Sequence, residues 1–187
     1  MSIKIFYDGV NIKDYSDHPD VVGFTTNLSF MAQAGISEYE SFAKESISYT
    51  DDRPISFQVW SSDMNDIEAQ AKVISSWGDN VYVKIPIITS AGQSTVDVIR
   101  KLHNDGMKIN VTVVHTNEQL DSLFNIFDVQ TPAIVSVFAG GISDAGINPE
   151  PIVKKCVSAF ENNDNVETLW AGCQRVLSIL DAENCGC

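Results

Sequence analysis

Short apolar runs alternate along the chain with amphipathic segments, and these two patterns predict strands and helices in turn. The predicted strands cover residues 3–8, 21–26, 54–60, 81–87, 109–114, 133–138 and 166–170. The predicted helices cover residues 30–46 with a break near Gly35, 63–77, 94–104, 117–127, 150–161 and 174–182. Such alternation predicts parallel strands joined by right-handed crossovers.

The spacing of the units selects between two parallel architectures. At roughly 25 residues per unit, a closed β/α barrel fits better than an open doubly wound sheet. We therefore predict an α/β fold, a TIM-type β/α barrel, forming a single domain over residues 1–187. A full barrel has eight strands, and the sequence stops where the eighth should begin. We accordingly expect a barrel truncated before strand eight.

The composition and the net charge argue against several classes of binding partner. The net charge of −13 repels phosphate backbones and anionic membranes, so we expect no nucleic acid and no membrane partner. The start, MSIKIFYDGV, resembles no leader peptide, and the four cysteines have no metal-ligand spacing. These features predict a cytoplasmic protein with reduced thiols. GxGxxG and P-loop motifs are absent from the sequence, which disfavours nucleotide binding.

Lys84 stands inside the apolar run Val81-Tyr82-Val83-Lys84-Ile85-Pro86-Ile87. Burial disfavours the ammonium form, so a lysine there has a lowered pKa and the nucleophilicity that Schiff-base chemistry requires. The alternative is a lysine whose stem packs in the strand end while its head reaches water.

Other polar residues stand near the predicted carboxyl ends of strands, where β/α barrels carry their chemistry. They are Asp8, Thr25, Thr26, Asn27, Gln58, Asn110, Thr112 and Ser136. Structural roles are open for several: Asp8 or Asn27 could cap a helix, and Gln58 could satisfy a core hydrogen bond. The glycines after strand six, Gly140, Gly141 and Gly146, indicate a flexible loop or an anion cradle.

Three segments resemble signatures of one family. Gly23-Phe24-Thr25-Thr26-Asn27-Leu28-Ser29 resembles the TTNPS motif of transaldolases, Val81–Pro86 resembles their Schiff-base lysine strand, and Ile109-Asn110-Val111-Thr112 is similar to their INVT strand. The resemblance runs in order from Asp8 to at least Phe138. It extends to the short transaldolases and fructose-6-phosphate aldolases of bacteria and phages.

The resemblance implies a mechanism and its residues. Lys84 would form an imine with the ketose C2 carbonyl, Gln58 and Thr112 would hold a proton-shuttling water, and Asp8 would be the general acid and base. Thr26, Asn27, Asn110, Ser136 and Phe138 would bind the substrate. The imine is itself an electron sink, so no metal or organic cofactor is implied. The implied pathway is the non-oxidative pentose phosphate pathway.

Single residues bear on the reaction outcome. Asn110, Ser136 and Phe138 match transaldolases, because the related aldolases typically carry a tyrosine at the position of Phe138. Gln58 points to an aldolase, because classical transaldolases have a glutamate there. Transfer of a dihydroxyacetone unit from sedoheptulose 7-phosphate or fructose 6-phosphate to an aldose phosphate is therefore favoured, with the aldolase reaction as the alternative.

The chain departs from the family where the resemblance places a phosphate site. Gly141, Gly172 and Gln174 stand where the family has an arginine, a serine and a second basic residue, and Arg175 could substitute for one of these. Leu28 replaces the usual proline. We expect weak affinity for phosphorylated sugars or a preference for uncharged ones.

Two further hypotheses stay open. One is a non-catalytic barrel remnant whose role is assembly or binding. The other is a metal-dependent aldolase, which is disfavoured because His18, His103 and His115 show no ligand spacing. The expected partners are sugar phosphates or small ketoses and aldoses, and the resemblance leaves a homo-oligomer open.

Overall fold

Strands and helices alternate along the part of the chain that the computed structural model describes, residues 3–187, so the predicted domain 1–187 begins outside it. The strands are β1 (Ile5–Asp8), β2 (Val21–Thr25), β3 (Ile55–Gln58), β4 (Val81–Pro86), β5 (Ile109–Val114), β6 (Ala133–Val137) and β7 (Val166–Trp170). The helices are α1 (Ile12–Tyr15), α2 (Leu28–Gln33), α3 (Tyr39–Ile47), α4 (Met64–Ser75), α5 (Val96–Asn104), α6 (Asn117–Asp121), α7 (Ala139–Asp144), α8 (Glu150–Phe160) and α9 (Val176–Cys185).

The chain forms two compact units, residues 4–84 and residues 85–187 together with Ile3. In the first unit β2 pairs with β1 and β3, and β3 pairs with β4. In the second unit β6 pairs with β5 and β7. Every one of these pairs is parallel and joins strands that are consecutive in the chain, as in β/α barrels. The predicted α/β fold of the TIM-barrel type is confirmed, while the single domain stays a prediction.

Arg53, just before β3, contacts several neighbouring segments of the first unit. Its guanidinium donates to the carbonyl oxygens of Val21 and Ser16 at 2.9 and 2.6 Å and lies over the Phe24 ring, 4.8 Å from its centroid. The carbonyl oxygen of Arg53 accepts in turn from Asn80 Nδ2 at 2.7 Å. These contacts hold β2, β3 and the approach to β4 in register, which positions the side chains at the other end of these strands.

The second unit is built on strands without polar alternation. All five residues of β6 are buried, as expected for a strand covered on both faces. His103 of α5 is completely buried there; its Nε2 accepts from the Asp128 backbone N–H at 3.1 Å, and its Nδ1 has no partner among the described residues. Burial lowers the pKa of His103, and the nearby Asp128 carboxylate opposes this effect.

Two predicted segments differ from the structure by more than a few residues at their ends. The helix predicted from 117 to 127 ends at Asp121, and the chain continues in turns that still bury Leu123 and Ile126. The apolar spacing there serves the core without a continuous helix, because tertiary packing outweighs local propensity. The loop predicted around Gly140 and Gly141 is wrong, since these residues lie in α7.

Candidate functional site

Lys84 is buried in β4, with only 8 % of its surface exposed. Its Nζ donates to Thr25 Oγ1 at 2.9 Å and to the Thr26 carbonyl oxygen at 3.1 Å. The head of the side chain therefore meets protein acceptors in the strand end instead of bulk water. This geometry argues against the alternative in which the lysine extends to the surface.

The protonation of Lys84 follows from this environment. Burial lowers the pKa of Lys84, and the Asp8 carboxylate partly counteracts the shift by favouring the ammonium. A neutral amine has two N–H donors and one lone pair. Because both donors have acceptors in the protein, the lone pair of the neutral form is left to attack an electrophile.

Asp8 ends β1 and interacts electrostatically with Lys84. Desolvation raises the pKa of the Asp8 carboxyl group, and the Lys84 amine lowers it. The side chain nevertheless remains exposed to solvent. The possible role of Asp8 as a helix cap is not found, since α1 begins after Asn11. A carboxylate that is both accessible and partly desolvated can exchange protons with a substrate.

Thr25 is the last residue of β2, Thr26 and Asn27 follow it, and the three residues differ in their contacts. Thr25 Oγ1 accepts from Lys84 Nζ, a contact that was not predicted for this residue. Thr26 Oγ1 is buried without a hydrogen-bond partner among the described residues, a state that calls for an explanation such as a ligand or water. Asn27 is the N-cap of α2, because its Oδ1 accepts from the Phe30 N–H at 3.0 Å.

Gln58 is paired with Lys84 in the parallel register of β3 and β4. Paired residues of adjacent strands project to the same face of a sheet, so the amide of Gln58 lies on the face that carries the Lys84 amine. The backbone carbonyl of Gln58 accepts from the Tyr39 hydroxyl at 2.9 Å, which fixes the end of β3. The side chain is partly exposed and can reach a bound water or substrate.

The remaining predicted site residues lie in the second unit. Ser136 Oγ donates to Asn110 Oδ1 at 2.8 Å, and both residues are buried. Thr112 is also buried, beside an irregularity in the pairing of β5 with β6 between Val111 and Val114. Phe138 follows β6, and its side chain is 39 % exposed.

Val113 has a φ of 65°, in the left-handed region that β-branched residues strongly avoid. It lies within the irregular stretch of β5, where one extra residue is accommodated as in a β-bulge. Strained backbone of this kind clusters at functional sites, because the surrounding structure must hold it in place. Here the strained residue directly follows Thr112.

His115 lies one residue after β5, a position where a surface histidine is the default expectation. Its Nδ1 lies 2.9 Å from the carbonyl oxygen of the strained Val113, and its ring packs edge-on against Phe138 with centroids 5.1 Å apart. The side chain is only partly exposed. The signal that could have found His115 is its position immediately beyond a strand end.

The positions where a phosphate site was expected carry no cationic side chain. Gly141 lies in α7, and Gly172 follows β7 with a φ of +79°. Arg175, the predicted substitute, lines a cavity of about 360 Å³ together with Glu150 and Asp181. The two carboxylates reduce the attraction that this arginine can exert on an anion.

In the first unit the structure thus places Asp8 and Gln58 at strand ends, Thr26 and Asn27 directly after β2, and Lys84 within β4. In the second unit it joins Asn110 to Ser136 and places Thr112 in the irregular part of β5. Thr25 was among the polar residues that the sequence placed near strand ends, but its contact with Lys84 was not predicted. His115 was named in the sequence without a role in the site. The assembly of all predicted residues into one active site stays a prediction.

The four cysteines are all free thiols. Cys156 is completely buried in α8, and Thr168 Oγ1 lies 3.3 Å from its sulfur. Burial raises the pKa of Cys156 to about 11 and that of Cys187 to about 12. Burial also raises the pKa of Cys173 and of Cys185. None of these thiols has the lowered pKa of a nucleophilic cysteine.

Fold and site together define a protein of the β/α-barrel type with a buried strand-end lysine next to a carboxylate. Residues 5–187 match the family described as transaldolase/fructose-6-phosphate aldolase. The chain therefore belongs to this family, as the sequence motifs predicted.

Curated relatives support the assignment. A probable transaldolase of Dehalococcoides mccartyi is 30% identical over 164 residues, covering 85% of this chain and 71% of the relative. A probable transaldolase of Thermoanaerobacter sp. is 29% identical over 189 residues, covering 98% of this chain and 82% of the relative. A probable transaldolase of Streptococcus equi subsp. zooepidemicus is 32% identical over 155 residues, covering 81% of this chain and 67% of the relative. Within residues 3–187, the helices are too short or too polar to cross a bilayer.

Proposed function

We propose that this protein is a transaldolase that moves a dihydroxyacetone unit from a ketose phosphate, such as fructose 6-phosphate or sedoheptulose 7-phosphate, to an aldose phosphate. The observation that carries the proposal is the buried Lys84 amine, whose pKa is lowered by burial and whose two donors have acceptors in Thr25 and Thr26. Membership of the transaldolase/fructose-6-phosphate aldolase family supports sugar phosphates as the substrate class.

The proposed reaction begins with attack of the neutral Lys84 Nζ on the ketose C2 carbonyl. Loss of water gives an imine, and Gln58 and Thr112 hold the water that carries the protons. Asp8 removes the proton of the C4 hydroxyl, the C3–C4 bond breaks, and the electron pair of that bond is stored as an enamine on Lys84. The first aldose leaves as an aldehyde.

The second half of the reaction reverses these steps with a different aldehyde. The enamine carbon attacks the acceptor carbonyl, the new alkoxide takes a proton from Asp8, and water hydrolyses the imine. Thr26, Asn27, Asn110, Ser136 and Phe138 are proposed to hold the substrate. The orphan Thr26 hydroxyl supports this role, because a substrate hydroxyl would satisfy it.

The compartment proposed for this reaction is the cytoplasm, and the pathway is the non-oxidative pentose phosphate pathway. Four free cysteines support a reducing compartment.

The experiment that tests the Schiff base is intact-mass measurement after incubation with dihydroxyacetone and sodium borohydride. We expect one reduced adduct per chain for the wild type and none for Lys84→Met. The matched control is Lys44→Met, because Lys44 is 60% exposed and paired with Glu40 on helix α3. Loss of the adduct in the control variant, or retention of the adduct in Lys84→Met, would refute the assignment of the nucleophile.

The alternative reaction, an aldolase that releases free dihydroxyacetone, is favoured by Gln58, which stands where classical transaldolases have a glutamate. The two reactions are separated by supplying fructose 6-phosphate with and without erythrose 4-phosphate. A transaldolase forms sedoheptulose 7-phosphate only with the acceptor present and releases little dihydroxyacetone without it. Rapid release of dihydroxyacetone in the absence of acceptor would instead establish the aldolase.

A further inference from the structure

One tyrosine hydroxyl holds the end of the strand that carries Gln58. Tyr39 is the first residue of α3, and its hydroxyl donates to the Gln58 carbonyl oxygen at 2.9 Å. Burial raises the pKa of Tyr39 above its ordinary value of 10, so the hydroxyl stays protonated and remains a donor at neutral pH. Tyr39, Gln58 and Lys84 all lie in the unit of residues 4–84.

The Tyr39 hydroxyl takes the place of a partner from β2. The Ser56 carbonyl oxygen accepts from the Thr26 N–H at 3.2 Å, on the side of β3 that faces β2. The carbonyl of Gln58, two residues further along, points to the same side of the strand. At this level β2 has already ended, and within the described residues the donor comes from Tyr39 of α3 instead.

The peptide group between Gln58 and Val59 is thereby bonded on both sides. Its N–H, which belongs to Val59, donates to the Lys84 carbonyl oxygen at 3.1 Å, and its carbonyl accepts from Tyr39. Gln58 is also paired with Lys84 in the register of β3 and β4. Because the planar peptide group cannot rotate without breaking one of these bonds, the direction in which the Gln58 side chain leaves the strand is fixed relative to Lys84.

Three aromatic rings hold the Tyr39 ring itself. We call them the aromatic cage; they are Phe57, Trp60 and Trp77, whose centroids lie 6.2, 5.6 and 5.2 Å from that of Tyr39. The three interplanar angles lie between 67° and 74°, which is the edge-to-face geometry that aromatic pairs prefer. The backbone of the cage is anchored as well, because the Trp60 N–H donates to Gln70 Oε1 at 2.8 Å. The cage therefore presents the hydroxyl to the strand on a ring that has little freedom to move away.

We propose that Tyr39 is a positioning residue of the Lys84 reaction, which keeps the Gln58 amide where it can hold the proton-carrying water beside the Lys84 amine. This inference rests on the proposed function, because it concerns the water-holding role of Gln58. Tyr39 acts through the Gln58 backbone and not on the reacting atoms. Its effect should therefore disappear when the Gln58 amide is absent.

The first test measures how fast dihydroxyacetone forms the imine on Lys84, by rapid quenching into borohydride and intact-mass measurement of the reduced adduct. Tyr39→Phe keeps the ring in the aromatic cage and removes only the donor. We expect the single-turnover rate at saturating ketone to fall about 10- to 100-fold, since a displacement of about 1 Å in a group that orients a reaction can cost about 10²-fold. A wild-type rate in Tyr39→Phe overturns the proposal.

The pH dependence of the same rate separates Gln58 from Lys84 as the residue affected. It should be the same in Tyr39→Phe as in the wild type, because burial and the Asp8 carboxylate determine the pKa of Lys84. A shifted pH dependence would mean that the substitution acts on Lys84 itself, which also overturns the proposal.

The second test distinguishes positioning from a merely structural role. Gln58→Ala removes the amide but keeps the backbone carbonyl that Tyr39 binds. If Tyr39 acts through this amide, Tyr39→Phe should slow imine formation in the wild type and have no further effect in Gln58→Ala. Losses that multiply in the double variant would overturn the proposal.

Tyr49→Phe is the matched control, because Tyr49 lies just beyond the other end of α3, where its ring contacts Lys13. It should keep the wild-type rate, and a loss equal to that of Tyr39→Phe would count against a specific role of Tyr39. Circular dichroism checks the folding of each variant. If Tyr39→Phe does not fold, the cycle with Gln58→Ala is run with Trp60→Leu, which removes the 50% exposed wall of the aromatic cage and leaves the Tyr39 hydroxyl in place. A loss that is absent in Gln58→Ala then supports the proposal, whereas an unchanged rate or a loss that persists in Gln58→Ala overturns it.

Failure of this inference is distinguishable from failure of the proposed function. An adduct that forms equally fast in the wild type and in Tyr39→Phe would overturn the positioning role and leave the Schiff base intact. Equal rates in the wild type and in Gln58→Ala would overturn the role of Gln58 and with it that of Tyr39, again with the nucleophile intact. Absence of any adduct on the wild type would overturn the proposed function together with this inference.

Discussion

Replacement of Lys84 by methionine tests the lowered pKa through stability instead of activity. Methionine has a similar length and no charge, so Lys84→Met removes the buried amine with little change in volume. Two effects oppose each other. The variant no longer bears the desolvation of the ammonium, but it loses the bonds to Thr25 and Thr26, and a buried acceptor left without its donor costs about 1–3 kcal/mol.

Of these two effects, only the desolvation of the ammonium depends on pH, and the direction of this pH dependence follows from the lowered pKa of Lys84. The folded-state pKa of Lys84 lies below the ordinary value of 10.5 because the residue is buried. Below the folded-state pKa both states are protonated, and the cost of the buried ammonium is constant. Between the folded-state pKa and 10.5 unfolding takes up a proton, so the stability of the wild type rises relative to Lys84→Met by up to about 1.4 kcal/mol per pH unit.

The assay is urea unfolding followed by circular dichroism, at intervals from pH 7 to pH 10, for the wild type, Lys84→Met and Lys44→Met. The surface pair of Lys44 should contribute no more than about 1 kcal/mol. A free-energy difference between wild type and Lys84→Met that stays constant over this range, or that moves toward the variant as pH rises, would refute the reasoning.

Three other predictions concern single side chains. Asp8→Asn should lower kcat about 10²- to 10⁴-fold while borohydride trapping of dihydroxyacetone on Lys84 persists, because a general acid and base is lost without the nucleophile; loss of trapping would contradict this. Thr25→Val should slow single-turnover imine formation, measured by rapid quench, and Thr25→Ser should restore it, since only serine keeps the acceptor for the amine; equal rates in both variants would argue for a purely structural role. As pH falls below 6.5, the wild type should lose up to about 1.4 kcal/mol per pH unit relative to His103→Gln in urea unfolding, because burial lowers the pKa of His103 and protonation then favours the unfolded chain. His18→Gln is the surface control. If the difference in unfolding free energy between wild type and His103→Gln did not change with pH, protonation of the buried His103 ring would not affect stability in this range.

The strands of the sheet were largely predictable because their apolar runs are unambiguous. β5 and β7 have the predicted bounds, and the predicted break near Gly35 separates α2 from α3, where Gly35 has a φ of +70°. The apolar run around Lys84 left two interpretations open, a buried amine and a head group that reaches water, and the family resemblance favoured the buried amine.

Other features depend on tertiary contacts that local sequence does not encode. Helix α7 contains two adjacent glycines because a Cβ at 141 would collide with the Phe138 ring and a Cβ at 140 with the Gly172 carbonyl oxygen. The left-handed backbone of Val113 contradicts its own propensity and is visible only in the folded strand. For Asn27 the sequence left open a helix-capping role and a substrate-binding role, and the hydrogen bond from the Phe30 N–H to Asn27 Oδ1 shows the capping role.

The high pKa values of the four thiols have a consequence for an enzyme that handles aldehydes. Thiolates add readily to aldehyde carbonyls, so reactive cysteines would sequester the substrates of the proposed reaction. With a pKa of about 11, Cys156 is a thiolate in roughly one molecule in ten thousand at pH 7. Because the pKa of each of the four thiols is raised, the neutral form of the sulfur is favoured at pH 7, so borohydride trapping of carbonyl compounds should report on the proposed Lys84 amine.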